Sequence, residues 1–227
     1  MERYFRTITY RPEFFGIKRF CNICGFRFSK FAPSGLTPRE ARCPVCGSLE
    51  RHRHFYIHLL PLLPFLKGKR VLHFAPEPII KDLFIDSDAE YFDADIKQGR
   101  ASHQVDITNI NFEDMFFDYC VAIHVLEHIV DDMQAFAELY RVLKPGGLAF
   151  LAVPVQKEAF EDSTIVSEEG RLKAFGQQDH VRYYSQDMFE ERIIAAGFTV
   201  QRSDPSMFPK EMRDACMLDD NIVLAKK

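Results

Sequence analysis

The stretch FDYCVAIHVLEHIVDDMQAFAELYRVLKPGGLAFLAVPV, residues 117–155, decides the fold. FDYCVAIHVL at its start and GGLAFLAVPV at its end are near-continuous apolar runs, as expected of strands buried on both faces. Between them, DDMQAFAELYRVLKPGG reads as an amphipathic helix. Ala135, Phe136, Leu139, Val142 and Leu143 recur at helical spacing, Asp131 and Asp132 cap the end where the helix dipole favours negative charge, and Lys144-Pro145-Gly146-Gly147 ends it. A buried strand, a helix and a second buried strand form the repeating unit of a parallel sheet with helices on both faces.

Further apolar runs lie on either side of this unit. RVLHFA (70–75), EYFDADI (90–96) and a short SHQVDI (102–107) precede it, and a helix QDMFEERIIAAG (186–197) with strands FTVQR (198–202) and NIVLAK (221–226) follows. The expectation is an α/β domain over residues 69–227 with a doubly wound, mostly parallel seven-stranded sheet. Ligands of such sheets bind outside the carboxyl ends of the strands, which singles out residues 75–77, Asp95, Asp106 and residues 124–128. The 30-residue polar stretch QKEAFEDSTIVSEEGRLKAFGQQDHVRYYS (156–185) exceeds most connections, and the region of about 155–185 reads as a candidate lid or substrate loop.

The N-terminal part, residues 1–68, is a different object. Cys21 and Cys24 (CNICG) and Cys43 and Cys46 (CPVCG) give C-x2-C-x18-C-x2-C, a spacing that aims four thiolates at one tetrahedral zinc ion. Four sulfur ligands leave no open position, so the zinc is expected to be structural. Gly25 and Gly47 are expected to let backbone amides turn back toward the sulfurs. LERHRHFYIHLLPLLPFL (49–66) reads as a helical stretch joining this zinc-ribbon module to the larger domain. His52, His54 and His58 on it are not needed as ligands, and Cys120 and Cys216 read as buried small hydrophobes.

Charge separates the two parts. Residues 1–70 hold 14 Lys+Arg against 4 Asp+Glu, and residues 71–227 hold 15 against 29. Arg19, Arg27, Lys30, Arg39, Arg42, Arg51 and Arg53 alternate with Phe20, Phe26, Phe28 and Phe31, a mixture suited to gripping RNA or another anion. The same residues equally suit a module core, counter-charge for four thiolates, or a docking face for the acidic remainder. A chain of 227 residues with 47% hydrophobic and 27% charged residues excludes collagen-like, disordered and repeat architectures. No apolar run approaches the roughly 18–20 residues of a spanning helix, and MERYFRTITYRPEFFG lacks the order of a signal peptide, so a cytoplasmic location is expected.

VLHFAPEP, DADI, DITNINFEDMFFDYCVAIHVLEHI and ELYRVLKPGGLAFLAVPV together resemble the class I S-adenosylmethionine-dependent methyltransferases of the type-11 group, over roughly residues 69–202. CPVCGSLERHR and RLKAFGQQDHVRYY extend the likeness to a bacterial subgroup that carries a zinc ribbon before this domain. The resemblance implies a Rossmann-like methyltransferase fold, S-adenosylmethionine as cofactor and methyl transfer. Asp95, at the end of the second strand, suits the two ribose hydroxyls on physical grounds as well, since a charged acceptor takes both. By resemblance, Asp106 accepts from the adenine amino group, Ile107 supplies a backbone amide, and His124 stands where sulfonium and substrate meet. Where the family places an acidic residue and glycines in the first turn, this chain has His73, Phe74, Ala75, Pro76 and Glu77. His73, Ala75 and Glu77 are therefore the expected cofactor contacts of an unusual turn.

Methyl transfer is an in-line displacement governed by alignment and exclusion of water, with a base for a hydroxyl or protonated amine acceptor. His180 beside Asp179 is the leading base, with His124 and His128 as alternatives. Glu127 and His128 read equally as capping and orienting the next helix. Arg182 and Tyr183 are expected to hold an anionic or hydroxylated substrate. Three functions fit the sequence: methylation of a small-molecule or carbohydrate acceptor, methylation of RNA with residues 1–70 as clamp, and binding without catalysis on a methyltransferase fold.

Overall fold

The computed structural model describes residues 12–35 and 38–227. Residues 1–11, 36 and 37, part of the basic stretch considered for nucleic acid, lie outside the described residues. In chain order the module contributes β1 (Arg19–Phe20), β2 (Arg27–Phe28), β3 (Ala32–Ser34), β4 (Arg39–Arg42) and α1 (Glu50–Leu59). Next come β5 (Arg70–Phe74), α2 (Pro78–Ile85), β6 (Glu90–Asp95), β7 (His103–Gln104), β8 (Phe117–Ile123), α3 (Asp132–Val142) and β9 (Leu143–Ala152). β10 (Phe160–Glu161), α4 (Glu168–Phe175), β11 (Arg182–Tyr183), α5 (Gln186–Ala195), β12 (Thr199–Ser203), α6 (Lys210–Cys216) and β13 (Ile222–Lys226) complete the chain.

Seven strands form one sheet in the order β12-β13-β9-β8-β5-β6-β7. β5 pairs in parallel with both β6 and β8, and β8 pairs in parallel with β9, whereas β13 runs antiparallel between β9 and β12. The expected doubly wound, mostly parallel sheet is what forms, and its order reverses between β5 and β8. Side chains alternate across it. Leu72, Cys120, Ala122, Ala149, Leu151 and Val223 face α3 and α5, which contribute Phe136, Leu139, Phe189 and Ile193. Val71, Val121, Ile123, Phe150 and Ile222 face the other layer, with Phe55 and Leu59 of α1 and Ile80, Leu83 and Phe84 of α2. Phe55 meets Phe150 and Phe84 with ring centroids 5.0 and 6.2 Å apart. The helix that continues the cysteine-rich module is thus also a covering helix of the sheet.

Several local readings change. The Lys144–Gly147 segment does not end the helix: α3 stops at Val142, and the segment is a bulge within β9 that shifts the register against β8. Asp131 caps α3 by accepting from the Gln134 amide at 3.0 Å, but Asp132 is buried, accepting from Arg192 at 2.6 Å and from the Tyr184 hydroxyl. The region 155–185 is not a bare loop. It contains α4 and the β10–β11 pair, and Val155 bridges Tyr184. Cys120 and Cys216 are buried as expected. No helix among the described residues is long and apolar enough to cross a membrane.

Candidate active site

The four cysteines come together. Cys21 Sγ lies 3.6 Å from Cys46 Sγ and Cys24 Sγ 3.7 Å from Cys43 Sγ. Four sulfurs about 2.3 Å from one tetrahedral zinc would be separated by about 3.8 Å, so the donor set is compatible with zinc. Gly25 and Gly47 both adopt φ 77°, which favours glycine, and their amides return to the carbonyls of Cys21 (2.8 Å) and Cys43 (3.0 Å) rather than to the sulfurs. Phe28, Phe31 and Val45 pack around the cluster as its core.

Four basic residues of the module, Arg19, Arg39, Arg51 and Arg53, are engaged within the chain. Arg53 is fully buried, donates to the carbonyls of Ala41 (3.0 Å), Ser48 (2.9 Å) and Cys216 (2.5 Å), and lies over the Phe31 ring. Arg19 reaches Glu40 and the Asp214 carbonyl, and Arg39 reaches Glu50. Arg51 and His52 both meet Glu77, with His52 Nε2 2.8 Å from Oε1. His54 and His58 bond the Ser203 hydroxyl at 2.9 and 2.7 Å.

A cleft of about 390 Å³ opens at the carboxyl ends of β5, β6 and β8, where the strand order reverses, and has a size suited to a small-molecule site. Ala75, Asp95, Asp106, Ile107 and His124 all line it. Ala75, just past β5, has φ 47°, so this non-glycine residue holds the left-handed conformation of the tight turn. Its amide donates to the Ala94 carbonyl at 2.9 Å. His124 leaves β8 at φ 55° in the same way, its amide on the Ala152 carbonyl. Two strained residues on neighbouring strands flank one cleft, a placement characteristic of functional sites. Asp95 uses Oδ1 to accept from the Lys97 amide at 2.8 Å, and Asp106 uses Oδ1 to accept from the Thr108 amide and hydroxyl. Each carboxylate is therefore fixed through one oxygen while lining the cleft, and two such acceptors at neighbouring strand ends fit the hydroxyl and amino donors of a nucleoside-bearing cofactor such as S-adenosylmethionine.

Other expected residues sit elsewhere. His73 faces the α1–α2 layer, bonded to the Tyr91 hydroxyl at 2.8 Å, and burial lowers its pKa to about 4. Against its burial, His52 and Arg51 hold the Glu77 carboxyl at about 2, and that carboxylate braces α1 instead of lining the cleft. Arg182 is buried and spent on Glu161 and on the carbonyls of Leu126, Ile129 and Val130. Tyr183 packs edge-on against Phe175. The cations that do line the cleft are Lys97, Arg100 and, from α4, Arg171.

At the end of β8, His124 Nε2 lies 3.2 Å from Asp220 Oδ2, a partner 96 residues away that the sequence did not indicate. Burial opposes charge on His124, but the hydrogen bond and charge of Asp220, together with Glu127, raise its pKa above the usual imidazole value. His128 and Asp179 also line the cleft, with His128 Nδ1 3.2 Å from the Asp179 carbonyl. His180 is buried behind them, its ring edge-on to His128 with centroids 4.8 Å apart, and burial lowers its pKa.

The family model described as a methyltransferase domain matches residues 84–151. No curated protein sequence matches the chain. Among solved structures, a chain of the complex between the Haloferax volcanii Trm112 methyltransferase activator and a methyltransferase superposes with TM-score 0.56 at 15% identity, covering 77% of this chain and 89% of that one. A Mesorhizobium loti S-adenosylmethionine-dependent methyltransferase gives 0.53 at 13% identity, with 76% and 97% covered. Haemonchus contortus phosphoethanolamine N-methyltransferase 2, in complex with S-adenosyl-L-methionine, gives 0.53 at 16%, with 76% and 52% covered. The strand order, the cleft at its reversal and these likenesses agree on the fold: residues 84–151 match the methyltransferase-domain model, and the sheet has the class I, Rossmann-like arrangement of S-adenosylmethionine-dependent methyltransferases.

Proposed function

We propose that the protein transfers a methyl group from S-adenosylmethionine to a small-molecule or saccharide acceptor that carries an anionic group, and that a structural zinc on Cys21, Cys24, Cys43 and Cys46 fixes its N-terminal module. The observation that carries this reading is the convergence of Ala75, Asp95, Asp106, Ile107 and His124 on one cleft. Asp95 is the acceptor for the ribose hydroxyls, Asp106 for the adenine amino group, and the turn at Ala75 lets the chain pass close to the methionine part.

When bound, the cofactor supplies a methyl group on a positively charged sulfonium. The chain's residues align the acceptor and exclude water. Arg171, with Arg100 and Lys97, offers positive charge to an anionic acceptor, the part first expected of Arg182. His124 takes the base role in preference to His180, because it lines the cleft and Asp220 fixes it through Nε2, leaving Nδ1 to receive a proton. The RNA-clamp reading is less favoured because Arg19, Arg39, Arg51 and Arg53 are paired inside the chain.

Calorimetric titration with S-adenosylhomocysteine tests the cofactor site. Asp95→Ala is expected to weaken binding by about 1.5–3 kcal/mol, the worth of a hydrogen bond to a charged group. Equal affinity in the variant removes the ribose assignment, and no binding to either protein removes the methyl-transfer reading.

A further inference from the structure

The segment 126–128 carries an anomaly that the cofactor cleft does not explain. Glu127 is 1% exposed, and neither carboxylate oxygen has a hydrogen-bond partner. The imidazole nitrogens that face it, His124 Nδ1 at 3.5 Å and His128 Nε2 at 3.9 Å, both lie beyond normal hydrogen-bonding distance. A buried carboxylate without a hydrogen-bond partner is costly unless it is neutralised, paired or bound to a metal. His180, 4% exposed, adds a third buried atom without a hydrogen-bond partner, at Nδ1.

We propose that Glu127, His128 and His180 form a second metal site, for a divalent transition cation of the zinc class, at the acceptor end of the cleft. One donor atom from each residue lies within 4.8 Å of the others, so an ion midway between the most distant pair would sit about 2.4 Å from each. Metal–nitrogen and metal–oxygen bonds of roughly 2.0–2.2 Å then require only small side-chain movements. The surroundings of His128 are those of a ligand imidazole. Nδ1 faces the Asp179 carbonyl at 3.2 Å, which fixes the proton there and leaves the lone pair on Nε2, the nitrogen that faces Glu127.

The donor set selects the ion. Two imidazoles and one carboxylate suit zinc, iron(II), cobalt or manganese better than the all-oxygen preference of calcium or magnesium. Three protein ligands also leave coordination positions open, unlike the closed four-cysteine cluster. His128 and Asp179 line the cleft, so an open position there would meet an oxygen of the acceptor. That role rests on the methyl-transfer reading, whereas the cation site does not. With His180 as a ligand, His124 is left as the proton acceptor.

The experiment is calorimetric titration of Zn²⁺ into the full chain purified with its metal, followed by metal analysis. Wild type is expected to hold one zinc per chain more than Glu127→Gln or His180→Gln, and to gain in melting temperature on zinc addition while the variants do not. Equal zinc content in wild type and in both folded variants overturns the site. As a readout that needs no variant to fold, the unaltered protein is also titrated with Mn²⁺, which thiolate clusters hold poorly. Paramagnetic broadening confined to the His128 and His180 imidazole signals and their neighbours supports the site, and its absence overturns it. S-adenosylhomocysteine titrated into the same samples separates the two readings: cofactor binding without cation uptake sinks only the metal site, and cation uptake without cofactor binding sinks only the methyl-transfer reading.

Discussion

The four-cysteine cluster and the His124–Glu127–His128–His180 cluster differ in how the chain builds them. Cys21, Cys24, Cys43 and Cys46 come from two short turns of a single small module, and their spacing in sequence already describes their arrangement in space. The second cluster joins the end of β8 to residues 179–180 and to Asp220, segments brought together only by the tertiary fold. The first cluster is closed and packed in its own core, while the second borders a cleft. Spacing alone reveals sites made within one turn or module, and topology is needed for sites made between elements.

Removing the zinc proposed on the four cysteines gives the largest expected contrast between the two. Structural zinc sites contribute on the order of 10 kcal/mol in small modules. Chelation, or Cys43→Ser, is therefore expected to unfold the module and to loosen α1, which shares Phe55 with the sheet core. Circular dichroism and thermal melts with and without chelator check this. Unchanged melts would mean that the module is held by its apolar core alone.

Acid sharpens the comparison with a smaller effect. His73 lies beneath the first turn with its pKa lowered to about 4 by burial, against an ordinary value of 6.5. Between those values the unfolded chain binds more protons than the folded one. Stability therefore rises with pH across that window and is lost as pH falls from about 6.5 toward 4, by up to about 3 kcal/mol. Urea unfolding at pH 7 and pH 5 is expected to show a smaller acid loss in His73→Phe than in the parent. An equal loss would assign the acid sensitivity to other groups, such as the thiolates.

The strand sequence, the helix α3 and the strand-end placement of Asp95, Asp106 and His124 were legible because apolar runs and their ends are local properties. Part of what was missed also had a local signal. Ile80, Leu83 and Phe84 recur at helical spacing after Pro78, which suits the first turn of α2. His73 shares its strand face with Val71, so alternation along β5 directs it away from the cleft. Other features had no such signal. Only Phe175 of α4 is buried, so its sequence resembles a polar loop, and its Arg171 could not be placed in the cleft. Glu77 and Arg182 are the charged types expected in a site, yet Arg51 and His52 claim the first, and Glu161 with three carbonyls claims the second. Such partners lie 21 to 56 residues away in sequence, beyond what spacing conveys. The glycine-free first turn is the instructive case, because Ala75 adopts the left-handed conformation itself.

The most direct test of the central claim, that the strand-end turns form one cofactor cleft, is amide hydrogen exchange of the full chain with and without S-adenosylhomocysteine. The account predicts slowed exchange in residues 74–77, 95–97, 105–108 and 124–129, with residues 21–28 and 43–48 of the cysteine module unchanged. Unaltered exchange in all four segments, or protection confined to the cysteine module, would contradict it.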